Sequence, residues 1–247
     1  MPKLMNQSAS IIGATVSNFG FTTKRNDELT ASEYTLANLE IDLSPSTAPF
    51  RGELEKALAT IVESLAKSPR AEQMLVRVEG FDENLHEVHG FINLSDIKPA
   101  DYSLDCNGSG TALFDAALCG VEAVAAYGKR LDDLEYAVNA VVFIVTDGQN
   151  NSSSKARTAK KVAEAIKKAQ QEEHLESIKT VLIGVGDENN TRAYLEDFKR
   201  DANIDQFVWV GKATASSIAK LANFISRSVS SASQSLGTGG PSANLNF

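Results

Sequence analysis

The chain has 247 residues, with 24 Lys and Arg against 32 Asp and Glu, a formal charge of −8 and 43% hydrophobic residues. That is ordinary globular composition, and its acid excess argues against a general nucleic-acid binder, which needs clustered Lys and Arg. No apolar run approaches the roughly 20 residues of a spanning helix. The start MPKLMNQSAS lacks the apolar core of a secretory signal, and two cysteines cannot build a disulfide framework or a four-thiolate zinc site. The expectation is a soluble, cytoplasmic protein with one large domain.

In chain order, Thr35 to Ile41 predicts a mostly apolar strand stopping at Asp42. Phe50, Leu54, Leu58, Ile61 and Leu65 recur at helical steps. Met74 to Phe81 and Val88 to Leu94 alternate at period two, predicting half-buried strands. Leu113, Ala117, Val121 and Val124 mark a second helix, and Ala140 to Val145 (AVVFIV) predicts a central strand covered on both faces. A Lys-rich helix follows from about Ser154 to His174, then a strand at Thr180 to Val185, a short helix with Tyr194 and Phe198, a strand at Gln206 to Val210 and a last helix from about Ala215. Strands alternating with helices predict right-handed crossovers: an α/β, doubly wound, mainly parallel central sheet with helices on both faces, Rossmann-like. Residues 1–33 read as an extension adding an edge strand or hairpin, 34–230 as the domain, and 231–247, rich in Ser and Gly, as a flexible tail.

Doubly wound sheets bind ligands at the carboxyl ends of their strands. There the first strand ends in Asp42-Leu43-Ser44-Pro45-Ser46, the AVVFIV strand in Thr146-Asp147-Gly148, and the glycine-rich stretch Asn107 to Thr111 opens a helix. Two carboxylates and three hydroxyls can converge above the sheet, a hard-oxygen set suited to Mg²⁺. Plainer readings stand beside this one. The serines and Thr111 could cap helices, and Asp147-Gly148 is a common turn pair.

DxSxS, a distant Thr and a strand-ending Asp resemble the metal-ion-dependent adhesion site (MIDAS) of von Willebrand factor type A domains. The matching residues are Asp42, Ser44, Ser46, Thr111 and Asp147. The resemblance covers roughly residues 35–230, and the LGTGGPS tail makes the chain look like stand-alone cytosolic members from bacteria. Pro45 departs from the family, which often has Gly there, and bears on loop flexibility rather than on ligation. The resemblance implies a non-enzymatic, metal-dependent protein-interaction module. Mg²⁺ (or Mn²⁺ or Ca²⁺) at these five residues would take an Asp or Glu of a partner protein. It also implies work within multi-protein assemblies.

Other signals are weaker. His86 and His89 lie at i and i+3, on opposite sides of a strand, so a zinc site is not expected. Gly108 to Thr111 lacks the Lys of a phosphate-binding loop. Cys106 lies beside the proposed site with no histidine to activate it. Asp82 reads as a turn aspartate or as a group orienting a water near the metal. Phe207 and Trp209 are expected in the core, and the Lys155 to Lys168 series on a solvated face. Two rival functions remain. One is a phosphotransferase of the haloacid dehalogenase type, which would want a carboxylate where Ser44 stands. The other is an assembly subunit with a vestigial site that docks, or self-associates, through Leu236, Leu245 and Phe247 of the tail.

Overall fold

Eight strands line up in one sheet in a computed structural model that describes residues 10–13, 20–186, 189–238 and 246–247. In chain order these are β1 (Ser10–Gly13), β2 (Gly20–Thr23), β3 (Glu33–Asp42), β4 (Met74–Phe81), β5 (Leu85–Asn93), β6 (Ala137–Thr146), β7 (Ser177–Val185) and β8 (Gln206–Gly211). The helices are α1 (Arg51–Leu65), α2 (Leu113–Asp132), α3 (Ala159–Gln171), α4 (Asn189–Asp201) and α5 (Ala215–Thr238). The spatial order is β1-β2-β5-β4-β3-β6-β7-β8. From β4 across β3, β6 and β7 to β8 every pairing is parallel, whereas β5 returns antiparallel to β4. Residues 10–13 and 20–23 pair antiparallel, and Thr23 of β2 pairs in parallel with Phe91 of β5. Residues 1–9 and 14–19 of the expected N-terminal extension lie outside the described residues.

Helices cover both faces because the central strands are apolar on both. Along β6, Val141, Phe143 and Val145 point into one core with Leu58 and Ile61 of α1 and Leu221 and Ile225 of α5. Ala140, Val142 and Ile144 point into the other, with Val121 and Val124 of α2 and Ile166 of α3. This is the period-two rule acting on a strand with no polar face. Because β3, β6, β7 and β8 run parallel, their carboxyl ends share one edge of the sheet.

Two expectations need correction. All eight residues of β4 are buried, including Arg77 and Glu79, so β4 is not half-buried. It lies between β3 and β5, and its polar side chains meet α2 rather than solvent: Arg77 Nη1 lies 3.0 Å from Glu40, Nη2 lies 2.6 Å from Glu79, and Cys119 is beside them. The second correction concerns the tail, since α5 continues to Thr238 and residues 231–238 are helix. Hydroxyl residues do not break it there, since Ser235 and Thr238 donate to carbonyls four residues back, as Ser226 and Ser228 do earlier in the helix. Small side chains also let this helix approach closely. Asn139 Nδ2 donates to the Ala232 carbonyl (2.6 Å), and Arg70 Nε donates to Ser233 Oγ (2.9 Å). Of the proposed tail anchors, Leu236 lies on α5 and Leu245 is outside the described residues. Phe247 packs edge-on against Phe224 of α5 at 5.7 Å.

Candidate metal site at the carboxyl edge of the sheet

Asp42 is the last residue of β3, set beside the end of β6 by the pairing of Ile41 with Val145. Thr146 Oγ1 donates to Asp42 Oδ2 (2.5 Å), and the Ser44 amide donates to Asp42 Oδ1 (2.8 Å). That second bond turns the chain sharply after the strand, as aspartate side chains do in tight turns. Pro45 then opens a short 3₁₀ turn, Pro45–Phe50, where its fixed φ suits the first position. The turn aims Ser44 and Ser46 the same way. Their hydroxyls share a hydrogen bond (3.0 Å), and Ser46 Oγ donates to Asp147 Oδ1 (2.8 Å), joining the β3 and β6 loops. Gly148 closes the ring: a Cβ there would lie 3.5 Å from Thr111 Oγ1 and 3.9 Å from Asp42 Oδ2. Hydrogen bonds thus join Asp42, Ser44, Ser46 and Asp147, and Thr111 stands beside them across Gly148. Neither Ser44 nor Thr111 caps a helix through its side chain.

Thr111 is held by residues that no motif singled out. Its amide donates to Asn151 Oδ1 (2.7 Å), and its carbonyl accepts from the Asn151 amide (3.0 Å) and the Ser152 amide (3.2 Å). Ser153 Oγ accepts from the amides of Phe114 and Asp115 at the start of α2. On its other side the glycine-rich loop rests on Asp82, because a Cβ on Gly108 would come within 2.3 Å of Asp82 Cβ. Asp82 Oδ1 accepts from the Asn84 amide (2.7 Å) and His86 Nε2 (2.9 Å), so Asp82 braces the β4–β5 turn and the glycine-rich loop. The only sequence sign of the clamp is the polar run Asn150 to Ser154 directly after Asp147-Gly148.

The donor set fits a hard divalent cation. It contains only carboxylate and hydroxyl oxygens, and Asp42 is 1% exposed, so burial raises its pKa while the Ser44 and Thr146 hydrogen bonds oppose that rise. A buried carboxylate of this kind gains from a cation placed against it. Ser46 is exposed, so the ring opens to solvent. Among the described residues no group of three or more His, Cys, Asp and Glu is placed to hold a metal, and hydroxyls must supply most of this set. Cys106 is buried and receives a hydrogen bond from Thr47 Oγ1 (3.4 Å), and burial pushes its thiol pKa up, away from nucleophilic character. His86 and His89 are not brought together, since His89 is buried against Tyr102. The α3 lysines face solvent, with Lys161 paired to Glu164 and Lys168 to Glu172. Trp209 is half-buried; it packs against the core and also lines a cleft of about 740 Å³ that begins at Ser46 and Asp147.

The sequence matches no family model and no curated protein. Solved structures do match. The PilB minor pilin of Streptococcus sanguinis aligns at 14% identity and a TM-score of 0.58, over 88% of this chain and 66% of that one. The pilus adhesin SpaC of Lactobacillus rhamnosus GG aligns at 10% identity and 0.60, over 82% and 31%. Proximal thread matrix protein 1 of the mussel byssus, solved with a zinc-occupied MIDAS motif, aligns at 18% identity and 0.54, over 81% and 46%. The chain thus spans from about a third to two thirds of the length of these proteins. These likenesses show the fold, a Rossmann-like α/β sheet of the von Willebrand factor type A kind.

Proposed function

We propose that the chain is a metal-ion-dependent protein-interaction module. Mg²⁺, or Mn²⁺ or Ca²⁺ in its place, would be held by Asp42, Ser44, Ser46, Thr111 and Asp147, and an Asp or Glu of a partner protein would bind there. The observation that carries this reading is the hydroxyl of Ser46, which joins Ser44 and Asp147 across two strand ends while remaining exposed. A bound divalent cation supplies an electrophilic centre that a carboxylate can ligate. The protein's part is positional. Thr146 and the Ser44 amide fix Asp42, the Asn151 loop fixes Thr111, and Ser46 and Asp147 face the incoming group. The zinc-occupied motif of the mussel protein supports a divalent cation on this fold.

The module is proposed to be non-enzymatic. Ser44 stands where a phosphotransferase of the haloacid dehalogenase type would need its acid–base carboxylate, and burial, opposed by the Thr47 hydrogen bond, raises the Cys106 thiol pKa. A cytoplasmic, bacterial setting belongs to the same proposal; the cytoplasmic part is supported by Cys106 and Cys119, which are buried and form no disulfide. No helix among the described residues is long and apolar enough to cross a membrane.

Thermal melts with Mg²⁺ and with chelator test the reading, alongside calorimetric titration of the cation. The parent should gain melting temperature with Mg²⁺, and Asp42→Ala and Ser46→Ala should gain none. Equal shifts in parent and variants would overturn the site.

A further inference from the structure

The glycine-rich loop that carries Thr111 contains Asn107–Gly108, the one Asn-Gly pair in the sequence; every other asparagine precedes a residue with a side chain. Asparagine is a chemically labile residue. It is most so before glycine, whose backbone nitrogen has no side chain to shield it from the neighbouring amide carbon. The fold leaves this pair open to that reaction. Residues 102–112 form neither helix nor strand, and Asn107 is exposed. Its Nδ2 donates to Asp105 Oδ1. The Ser109 amide is taken up by Glu83 Oε2 (2.6 Å), whereas the Gly108 amide donates to none of the described residues. Beyond the pair the loop has no slack. A Cβ on Gly108 would fall 2.3 Å from Asp82 Cβ, and one on Gly110 would fall 1.8 Å from Ser152 Oγ. The Ala112 amide donates to the Asp82 carbonyl (2.6 Å), and Asn151 holds Thr111 from the other side. Only bare backbone fits between the β4–β5 turn and the Asn151 loop.

We propose that Asn107–Gly108 is a site of spontaneous deamidation, and that its isoaspartate product displaces the Thr111 loop. The Gly108 nitrogen, having lost its proton to hydroxide, attacks Asn107 Cγ, a step favoured because both groups lie on adjacent residues. A Cγ–N bond forms, the Cγ–Nδ2 bond breaks, and Nδ2 leaves as ammonia after taking a proton from water. The resulting succinimide is opened by a second water. Attack at Cγ restores the ordinary backbone with aspartate at position 107. Attack at the main-chain carbonyl leaves the chain running through the side chain, as isoaspartate, with one more methylene in the backbone. Water is the only reagent, and nothing is oxidised or reduced. Aspartate keeps the length of the loop. Isoaspartate lengthens it directly before Gly108, where Asp82 leaves no room, so the chain must move at the residues that lead to Thr111. The consequence for the cation rests on the metal-site reading; the modification itself does not.

The test ages the full chain in mildly alkaline, heavy-oxygen water, beside the same chain unfolded in urea, and maps the peptides by mass. The folded protein should gain an acid and a heavy oxygen at residue 107 ahead of every other asparagine, as both aspartate and isoaspartate. An Asn107 amide that survives in the folded chain while the unfolded chain converts overturns the proposal. Asn107→Gln, which must close a larger ring, should keep its amide. Calorimetric titration with Mg²⁺ then reads the loop. In the aged parent, the fraction of sites weakened roughly 10–100-fold should equal the isoaspartate fraction of the peptide map. Freshly made Asn107→Asp, which adds the charge without the methylene, should bind as the parent does. Full affinity in the isoaspartate fraction, or an equal loss in aged Asn107→Gln, overturns the displacement of Thr111. A fresh parent that binds no Mg²⁺ overturns the metal reading, while the mass map still decides the modification.

Discussion

Asn151 holds Thr111 at both ends of its backbone, accepting from its amide at 2.7 Å and donating to its carbonyl at 3.0 Å. Thr111 is 4% exposed, so an amide left without that acceptor carries a desolvation cost of about 1–3 kcal/mol. Asn151→Ala is therefore expected to lower unfolding free energy by about 1–2 kcal/mol, read as a lower urea midpoint at unchanged slope. It should also weaken Mg²⁺ binding more than its stability loss accounts for, because Thr111 belongs to the proposed ligand set. The five proposed ligands could be picked out by residue type and by position at strand and helix ends. Asn151 could not, because its partner lies 40 positions away in sequence and the contact exists only once β6 and α2 are docked.

The β4–β5 hairpin shows where period-two reasoning stops. Alternation of Leu75, Arg77 and Glu79 with apolar neighbours suggested a solvent face, but α2 covers that face and Arg77 is fully buried. Glu40 lies in the same pocket, where burial and the nearby Glu79 charge push its carboxyl pKa well up. His89 on β5 faces the other core. Its Nδ1 donates to the Gly90 carbonyl (3.0 Å), and its Nε2 accepts from Tyr102 Oη (3.0 Å), an arrangement for neutral imidazole. Burial, aided by the Arg77 charge and opposed by the Gly90 carbonyl, lowers its pKa from 6.5 to about 4. Between those values the unfolded chain takes up a proton that the folded chain excludes, so this contribution is complete above pH 6.5 and is lost as pH falls toward about 4. The full loss is about 3 kcal/mol. His89→Gln should flatten that part of the pH–stability profile in urea titrations between pH 7 and 4; an unchanged difference between parent and variant across the range would refute it.

Across the whole molecule, two apolar cores share one sheet, and β6 contributes alternate residues to each. Neither core can loosen without exposing strands that line the other. Unfolding is expected to be a single cooperative transition, with far-ultraviolet circular dichroism and Trp209 emission following the same melting curve. Separate midpoints would show that the two faces open independently. The last helix takes part in this unit: Ala232 and Ser233 are buried against Asn139 and Arg70, so the domain extends past residue 230 to Thr238. Serine content alone suggested a tail there, because a hydroxyl's preference for loops is overridden when it bonds back to its own helix.

By itself the sequence determined the alternation of strands and helices, the parallel sheet that alternation requires, and the placing of Asp42, Ser44, Ser46, Thr111 and Asp147 at element ends. These follow from local periodicity and from the chemistry of residue types, which act over a few positions. Tertiary structure decided what those ends meet. Strand order β3-β6-β7-β8 brought Ser46 to Asp147 and set the cleft lined by Trp209 beside them, and α2 turned the polar side of β4 into core. Each of these depends on contacts between residues far apart in the chain, and local pattern carries no record of them.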